Sequence, residues 1–286
     1  GIGSGKTVEL EEKLSGFSSQ LHLTSGRTKA RFNLLDADYY PKWGAFDPDQ
    51  LTTITDLGGR LSLIEWATSK TESPINGVHL DGNLAIATDK YRLAVTDMPI
   101  PALDEPVTIP AKILAQVLKQ TGEVQFGRDG GTMLIMPDEH TQIRTVTIAD
   151  RFPPTQRVMK REYEDCLTLK KDAVLELLNR ANNFAGGDRL PSLKVFIGKE
   201  EFAVMMTNEE VGLLGDVLEL PGQCTHDRYE VKFTPRNIIE AISACPGDTL
   251  ELSYDKTNPK GLIWIDGGSG YECWVMPRAD LAPSPT

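Results

Sequence analysis

The chain has 286 residues, 40% of them hydrophobic and 25% charged, with a formal net charge of −11. No apolar run approaches the ~18 residues a membrane span needs, so no membrane is expected, and the acidity argues against gripping nucleic acid by neutralising many phosphates. Four cysteines and four histidines show neither CxxC nor HExxH spacing, so the expectations are no metal, no disulfide framework and a reducing, cytoplasmic setting.

The chain begins GIGSGKTVELEEKL, without Met and without the apolar core of a secretory signal. Gly5, Lys6 and Thr7 invite a reading as a phosphate-cradling loop, and hence a phosphate-binding enzyme, if TVELEEKL begins a helix. The pattern lacks its earlier glycine and a preceding buried strand, so this is kept only as an alternative. Residues 21–41 read as strands, and in TKARFNLL (28–35) alternation sets Lys29 and Arg31 on one side and Phe32 and Leu34 on the other. Asp47-Pro48 then reads as a helix cap with proline at the first position. Leu51, Ile54, Leu57, Leu61 and Ile64 keep a helical stripe that Gly58-Gly59 weakens.

INGVHLDGNLAIATDKYRLAV (75–95) reads as three short strands, because Asp81-Gly82 between alternating apolar residues suits a hairpin turn and Thr88-Asp89 turns the chain again. Pro110 opens a helix with Ile113, Leu114, Val117 and Leu118 on one face, ending at Gly122. Strands then run to Phe152-Pro153. From Lys170 the order recurs. Val174, Leu177, Leu178 and Ala181 form a helical stripe, KVFIGKEEFAVMMTNEEVGLL gives hairpin and corner, and Thr234-Pro235 starts a helix carrying Ile238, Ile239 and Ile242. The last strands end at Val275-Met276-Pro277. Thr88 and Thr207, Pro110 and Pro235, and Pro153 and Pro277 each lie about 120 residues apart, which points to a duplicated unit. Carboxylate pairs such as Asp36 with Asp38 fall in apparent loops and no nucleophile elbow occurs, so no catalytic residue is assigned.

ATDKYRLAV, IADRFPPTQRV (148–158) and WVMPR (274–278), in this order and spacing, resemble the bacterial DNA polymerase sliding clamp, the beta subunit of the replicative polymerase III. The resemblance implies an α+β fold of duplicated clamp units, each two helices packed on antiparallel sheets. It places a C-terminal remnant of a first domain at 1–44, a second domain at 45–161 and a third at 162–286, with most of the first domain missing. Family chains commonly carry glycine where Lys90 stands and an aromatic residue where Asn237 stands, so the partner groove is expected to have a more polar lip.

By the same resemblance, the chain is expected to encircle duplex DNA without sequence preference and to tether the replicative polymerase and clamp loader through short linear motifs. No cofactor and no chemistry of its own are expected. A partial clamp acting only as a peptide-binding adaptor is the other alternative. The groove residues implied are Ile75, Thr88, Arg92, Leu93, Pro153, Arg157, Val158, Leu190, Val275, Met276 and Pro277, with Arg92 and Arg157 bonding peptide carbonyls or carboxylates at the rim. Lys112, Lys119, Lys170, Lys171, Arg180 and Arg236 are the expected DNA-facing cations. A homodimer ring, if the first domain is complete, would pair Lys29, Arg31, Phe32 and Leu34 with Glu209, Glu210, Asp216 and Glu219 of a second copy.

Overall fold

The computed structural model describes residues 7–15, 18–35, 38, 46, 51–71, 74–99, 103–163, 165–186, 191–220, 229–255, 257–258 and 261–278. The chain divides into two compact units, 1–45 and 46–286. In the first, β1 (Glu9–Ser15), β2 (Ser18–Ser25) and β3 (Thr28–Asn33) form an antiparallel sheet in that order, with Glu9 opposite Thr24 and Gln20 opposite Asn33. TVELEEKL is thus a strand rather than a helix. The phosphate-loop reading thereby loses the helix N-terminus that would hold an anion, and Gly5 and Lys6 lie outside the described residues.

The second unit contains one arrangement twice. Its first half runs β4 (Thr52–Thr55), α1 (Leu57–Ser62), a 3-10 turn (Glu65–Ala67), β5 (Gly77–Gly82), β6 (Leu84–Thr88), β7 (Arg92–Asp97), β8 (Leu103–Pro110), α2 (Ala111–Val117), β9 (Glu123–Asp129), β10 (Thr132–Asp138) and β11 (Thr141–Val146). Its second half runs β12 (Asp165–Lys170), α3 (Lys171–Ala185), β13 (Leu193–Ile197), β14 (Glu201–Asn208), β15 (Gly212–Glu219), β16 (Tyr229–Phe233), α4 (Pro235–Ser243), β17 (Thr249–Tyr254), β18 (Ile263–Gly268) and β19 (Tyr271–Val275). The strand orders β11-β10-β9-β4 and β7-β6-β5-β8 of the first half reappear as β19-β18-β17-β12 and β15-β14-β13-β16 in the second. β19 pairs antiparallel with β7, Trp274 opposite Leu93, and this joint fuses four strands of each half into one eight-stranded sheet.

Period-two alternation gives that sheet two buried faces. Ala85, Ala87, Ala94, Ile263, Ile265, Cys273 and Val275 belong to a large core that also holds buried aliphatic residues from all four helices. Ile86, Leu93, Val95 and Trp274, on the opposite alternation, pack with Ile75 and Phe152 in a smaller cluster. The second face carries the candidate site.

Two helical expectations are corrected. The stripe from Leu51 to Ile64 is split, because Ile54 is buried from strand β4 and only Leu57 and Leu61 are buried from a helix, α1. Asp56, at φ +56°, caps α1 by accepting the Gly59 N–H at 3.2 Å, while the Asp47-Pro48 cap lies outside the described residues. Gly58 has a packing reason rather than a weakening role. A Cβ there would sit 2.6 Å from the Leu118 carbonyl oxygen, so only glycine lets α1 approach the end of α2 this closely. α2 ends at Val117 rather than Gly122. α3 and α4 carry the expected stripes, Val174, Leu177, Leu178 and Ala181 on one and Ile238 and Ile242 on the other, and Pro235 opens α4.

Candidate functional site

A groove of about 290 Å³ opens over the β7–β19 joint, between the sheet and the connector that precedes β12. Of the residues expected there, Ile75, Thr88, Arg92, Leu93, Pro153, Val158 and Met276 line it. Pro74, Lys90, Tyr91, Pro154, Thr155, Leu262 and Trp274 line it as well and were missed. Sequence position alone held a signal for Trp274. It neighbours Val275 on one strand, and neighbours on a strand face opposite ways. Val275 lies in the helix-side core while Trp274 lies in the groove-side cluster, so the expected wall residue Val275 is corrected by one position.

Arg92 follows the same alternation. Its guanidinium is on the helix side, where Nε and Nη2 donate to Asp89 Oδ2 at 3.0 and 2.8 Å and Nη1 donates to Glu240 Oε2 of α4. It also lies 4.8 Å from the centre of a Trp66 ring, a cation–π distance. With 7% of its side chain exposed, Arg92 ties the two halves together and is not the expected peptide ligand. Burial disfavours the charged guanidinium, but bonds to Glu240 and Asp89 outweigh it and hold its pKa above the ordinary value. For Glu240, burial pushes the carboxyl up, and the bonds from Arg92 and Arg236 more than reverse this, leaving it below its usual range. Arg157 is exposed and does not line the groove, Pro277 is buried away from it, and Leu190 lies outside the described residues.

Two elements fix the walls. The β6–β7 corner is stitched by Thr88 Oγ1 donating to Arg92 O (2.6 Å), Lys90 N donating to Thr88 Oγ1 (3.2 Å), and Tyr91 N and Arg92 N donating to Asp89 Oδ1 (3.0 and 2.9 Å). Lys90 occupies φ +80°, the left-handed region that favours glycine. The connector is pinned from below, because Trp274 Nε1 donates to Lys160 O at 2.8 Å and Phe152 stacks on His79 with ring centres 4.3 Å apart. A larger concavity of about 580 Å³, bordered by His79, Asp81, Arg128 and Asp150, shares only Pro153, Pro154 and Thr155 with the groove.

The expected DNA-facing cations separate into two groups. Lys112, Lys119 and Lys170 are exposed and have no ion-pair partner among the described residues. Lys171 donates to the Cys245 carbonyl at 2.5 Å, and Arg236 pairs with Glu240 at 2.6 Å. Arg180 bonds both Glu176 and Asp216 at 2.6 Å. That last pair joins two expectations, since the expected DNA-facing Arg180 and the expected interface residue Asp216 bond each other within one copy. Lys29, Arg31, Glu209, Glu210 and Glu219 are exposed, Phe32 is 51% exposed, and Leu34 is partly covered. The edge strand β15 also exposes Leu213 and Val217, an apolar row that sequence reading missed.

No protein-family model matches the chain. It is 22% identical to the beta sliding clamp of Caulobacter vibrioides, an alignment covering 94% of this chain and 77% of that protein. Among solved structures, the DNA polymerase sliding clamp from Bacillus subtilis superposes with a TM-score of 0.82 at 18% identity, over 95% of this chain and 75% of that one. The Caulobacter crescentus beta sliding clamp gives 0.80 at 20% identity, over 92% and 76%. The Helicobacter pylori beta clamp bound to a DNA ligase peptide gives 0.79 at 17% identity, over 94% and 76%. With its doubled strand order and fused sheet, this chain resembles the bacterial beta sliding clamps in sequence and has their fold.

Proposed function

We propose that the chain is a sliding-clamp subunit that surrounds duplex DNA and tethers a replicative polymerase and other partners through the groove, without chemistry of its own and in the cytoplasm. The observation that carries this is the apolar groove over the β7–β19 joint in a clamp fold, together with a neighbour, the H. pylori clamp, that is bound to a ligase peptide. Among the described residues no helix is long and apolar enough to cross a membrane. We place the domain boundaries near residues 45 and 162, giving one domain to each half of the second unit.

The groove offers Ile75, Leu93, Val158, Leu262 and Met276 around the Trp274 ring, surfaces that bury an aliphatic or aromatic anchor at about 25 cal/mol per Å² of apolar area. Met276, 45% exposed at the lip, can be changed without disturbing the core. A capped peptide with a Leu-Phe anchor, followed by fluorescence anisotropy, should bind Met276→Asp at least ~30-fold more weakly than wild type, the ~2 kcal/mol of a hot spot. Equal affinity would remove the peptide from this groove.

Weak, sequence-blind DNA contact is assigned to Lys112, Lys119 and Lys170. Changing all three to Glu should reduce retention on circular DNA at moderate salt while peptide affinity stays within about twofold, since phosphate contacts are strongly salt-dependent. Tight binding of a short linear duplex with one preferred sequence would contradict a sliding role.

For ring assembly, we assign a head-to-tail contact between β3 of one copy and β15 of another, both edge strands. Phe32, Leu213 and Val217 supply its apolar part and Lys29, Arg31, Glu209, Glu210 and Glu219 its rim, where ion pairs add only about 0–1 kcal/mol each. Sedimentation mass should fall for Phe32→Asp with Leu34→Asp; an unchanged mass for a stable ring would place the contact elsewhere.

A further inference from the structure

Among the described residues that line the groove only Lys90 and Arg92 are charged, and Arg92 is neutralised by Asp89 and Glu240. Asp89, the carboxylate adjacent to Lys90 in sequence, has no capacity to spare. Its Oδ1 accepts Tyr91 N and Arg92 N, and its Oδ2 accepts Arg92 Nε and Nη2. Lys90 is exposed and has no ion-pair partner among the described residues. In a chain with net charge −11, Lys90 is therefore, among the described residues, an uncompensated cation on the lip of an apolar groove.

The position of that cation is set by the backbone. A lysine at φ +80° carries strain that glycine would not. The corner that holds it is braced on one side by the Thr88 and Asp89 bonds and on the other by Met276 N donating to Tyr91 O at 2.9 Å. The Lys90 side chain starts from a fixed turn that lines the groove together with Met276 and Leu93.

Building on the groove reading above, we infer that Lys90 is a specificity residue, and that this groove selects linear peptides carrying a carboxylate side chain next to their apolar anchor. The apolar floor supplies affinity, and Lys90 discriminates among peptides by charge, as complementary rim charges do at interfaces. A solvent-facing ion pair is worth about a two- to fivefold preference, and salt screens it.

The test uses capped Leu-Phe peptides with Glu or Gln flanking the anchor on its N-terminal or C-terminal side, titrated against wild type, Lys90→Gly and Lys90→Glu at low and high salt. Lys90→Gly suits the local backbone and so preserves the corner. On at least one flank, wild type should bind the Glu peptide about two- to fivefold more tightly at low salt. That preference should vanish at 0.5 M salt (roughly a 4 Å Debye length) and in Lys90→Gly, and reverse in Lys90→Glu. Equal binding of Glu and Gln peptides on both flanks, or a preference that survives in Lys90→Gly, overturns the assignment while leaving the groove standing. If no peptide binds wild type, or if Met276→Asp leaves every affinity unchanged, the groove reading fails and takes the Lys90 assignment with it.

Discussion

Replacing Arg92 with methionine should lower the stability of the protein by about 2–4 kcal/mol, measured as a denaturation midpoint at neutral pH. Removing one member of a buried ion pair typically costs ~3–5 kcal/mol because the partner's charge stays behind. Here the loss falls toward the lower part of that range, since Asp89 and Glu240 retain 19% and 27% exposure and Arg236 still bonds Glu240. A second change, Glu240→Leu, should recover part of the loss when combined with Arg92→Met, because the two residues share one interaction. The pH dependence has a definite sign. Glu240 is held below its reference value of 4.5, so its pairing stabilises the fold fully above pH 4.5 and is lost as pH falls through the lower folded value. The gap between wild type and Arg92→Met should therefore narrow in acid. An unchanged midpoint at neutral pH would mean that Arg92 does not hold the halves together.

This ion pair shows why parts of the site were legible in the sequence and others were not. The three strands from Gly77 to Asp97 were readable because turn chemistry is local, and Gly82 takes φ +59° where Asp81-Gly82 called for a positive value. The doubled order was readable because helix stripes and turns recur at one spacing. Ile54 misled because a strand residue entering the same core as Leu57 and Leu61 imitates helical spacing. The YECWV strand is largely buried on both faces, so no alternation of polar and apolar residues marks which face meets the groove, and the sequence does not separate Trp274 from Val275. Arg92 with Glu240 and Arg180 with Asp216 join residues far apart in sequence, and composition cannot reveal which charges are already spent on each other.

The alternation across β19 predicts a contrast between neighbours. Trp274 is 1% exposed and packs among Ile75, Leu93 and Phe152, with Arg161 6.0 Å from the centre of its ring. Trp274→Ala should cost about 3–5 kcal/mol, the range for emptying a buried aromatic site, and should remove the groove floor, weakening a Leu-Phe peptide more than tenfold. Trp274→Phe keeps most of the packing and loses the bond to Lys160 O, so it should cost only about 1–3 kcal/mol for the carbonyl left unpaired and retain measurable peptide binding. Val275→Ala, one residue on and on the other face, should also destabilise, by about 2 kcal/mol, yet leave peptide affinity within about twofold of wild type. Denaturant titration and anisotropy on the same three variants separate stability from binding. If Val275→Ala impaired the peptide and Trp274→Ala did not, the two faces of the fused sheet would have to be exchanged, and the floor of the groove would be the helix-side core.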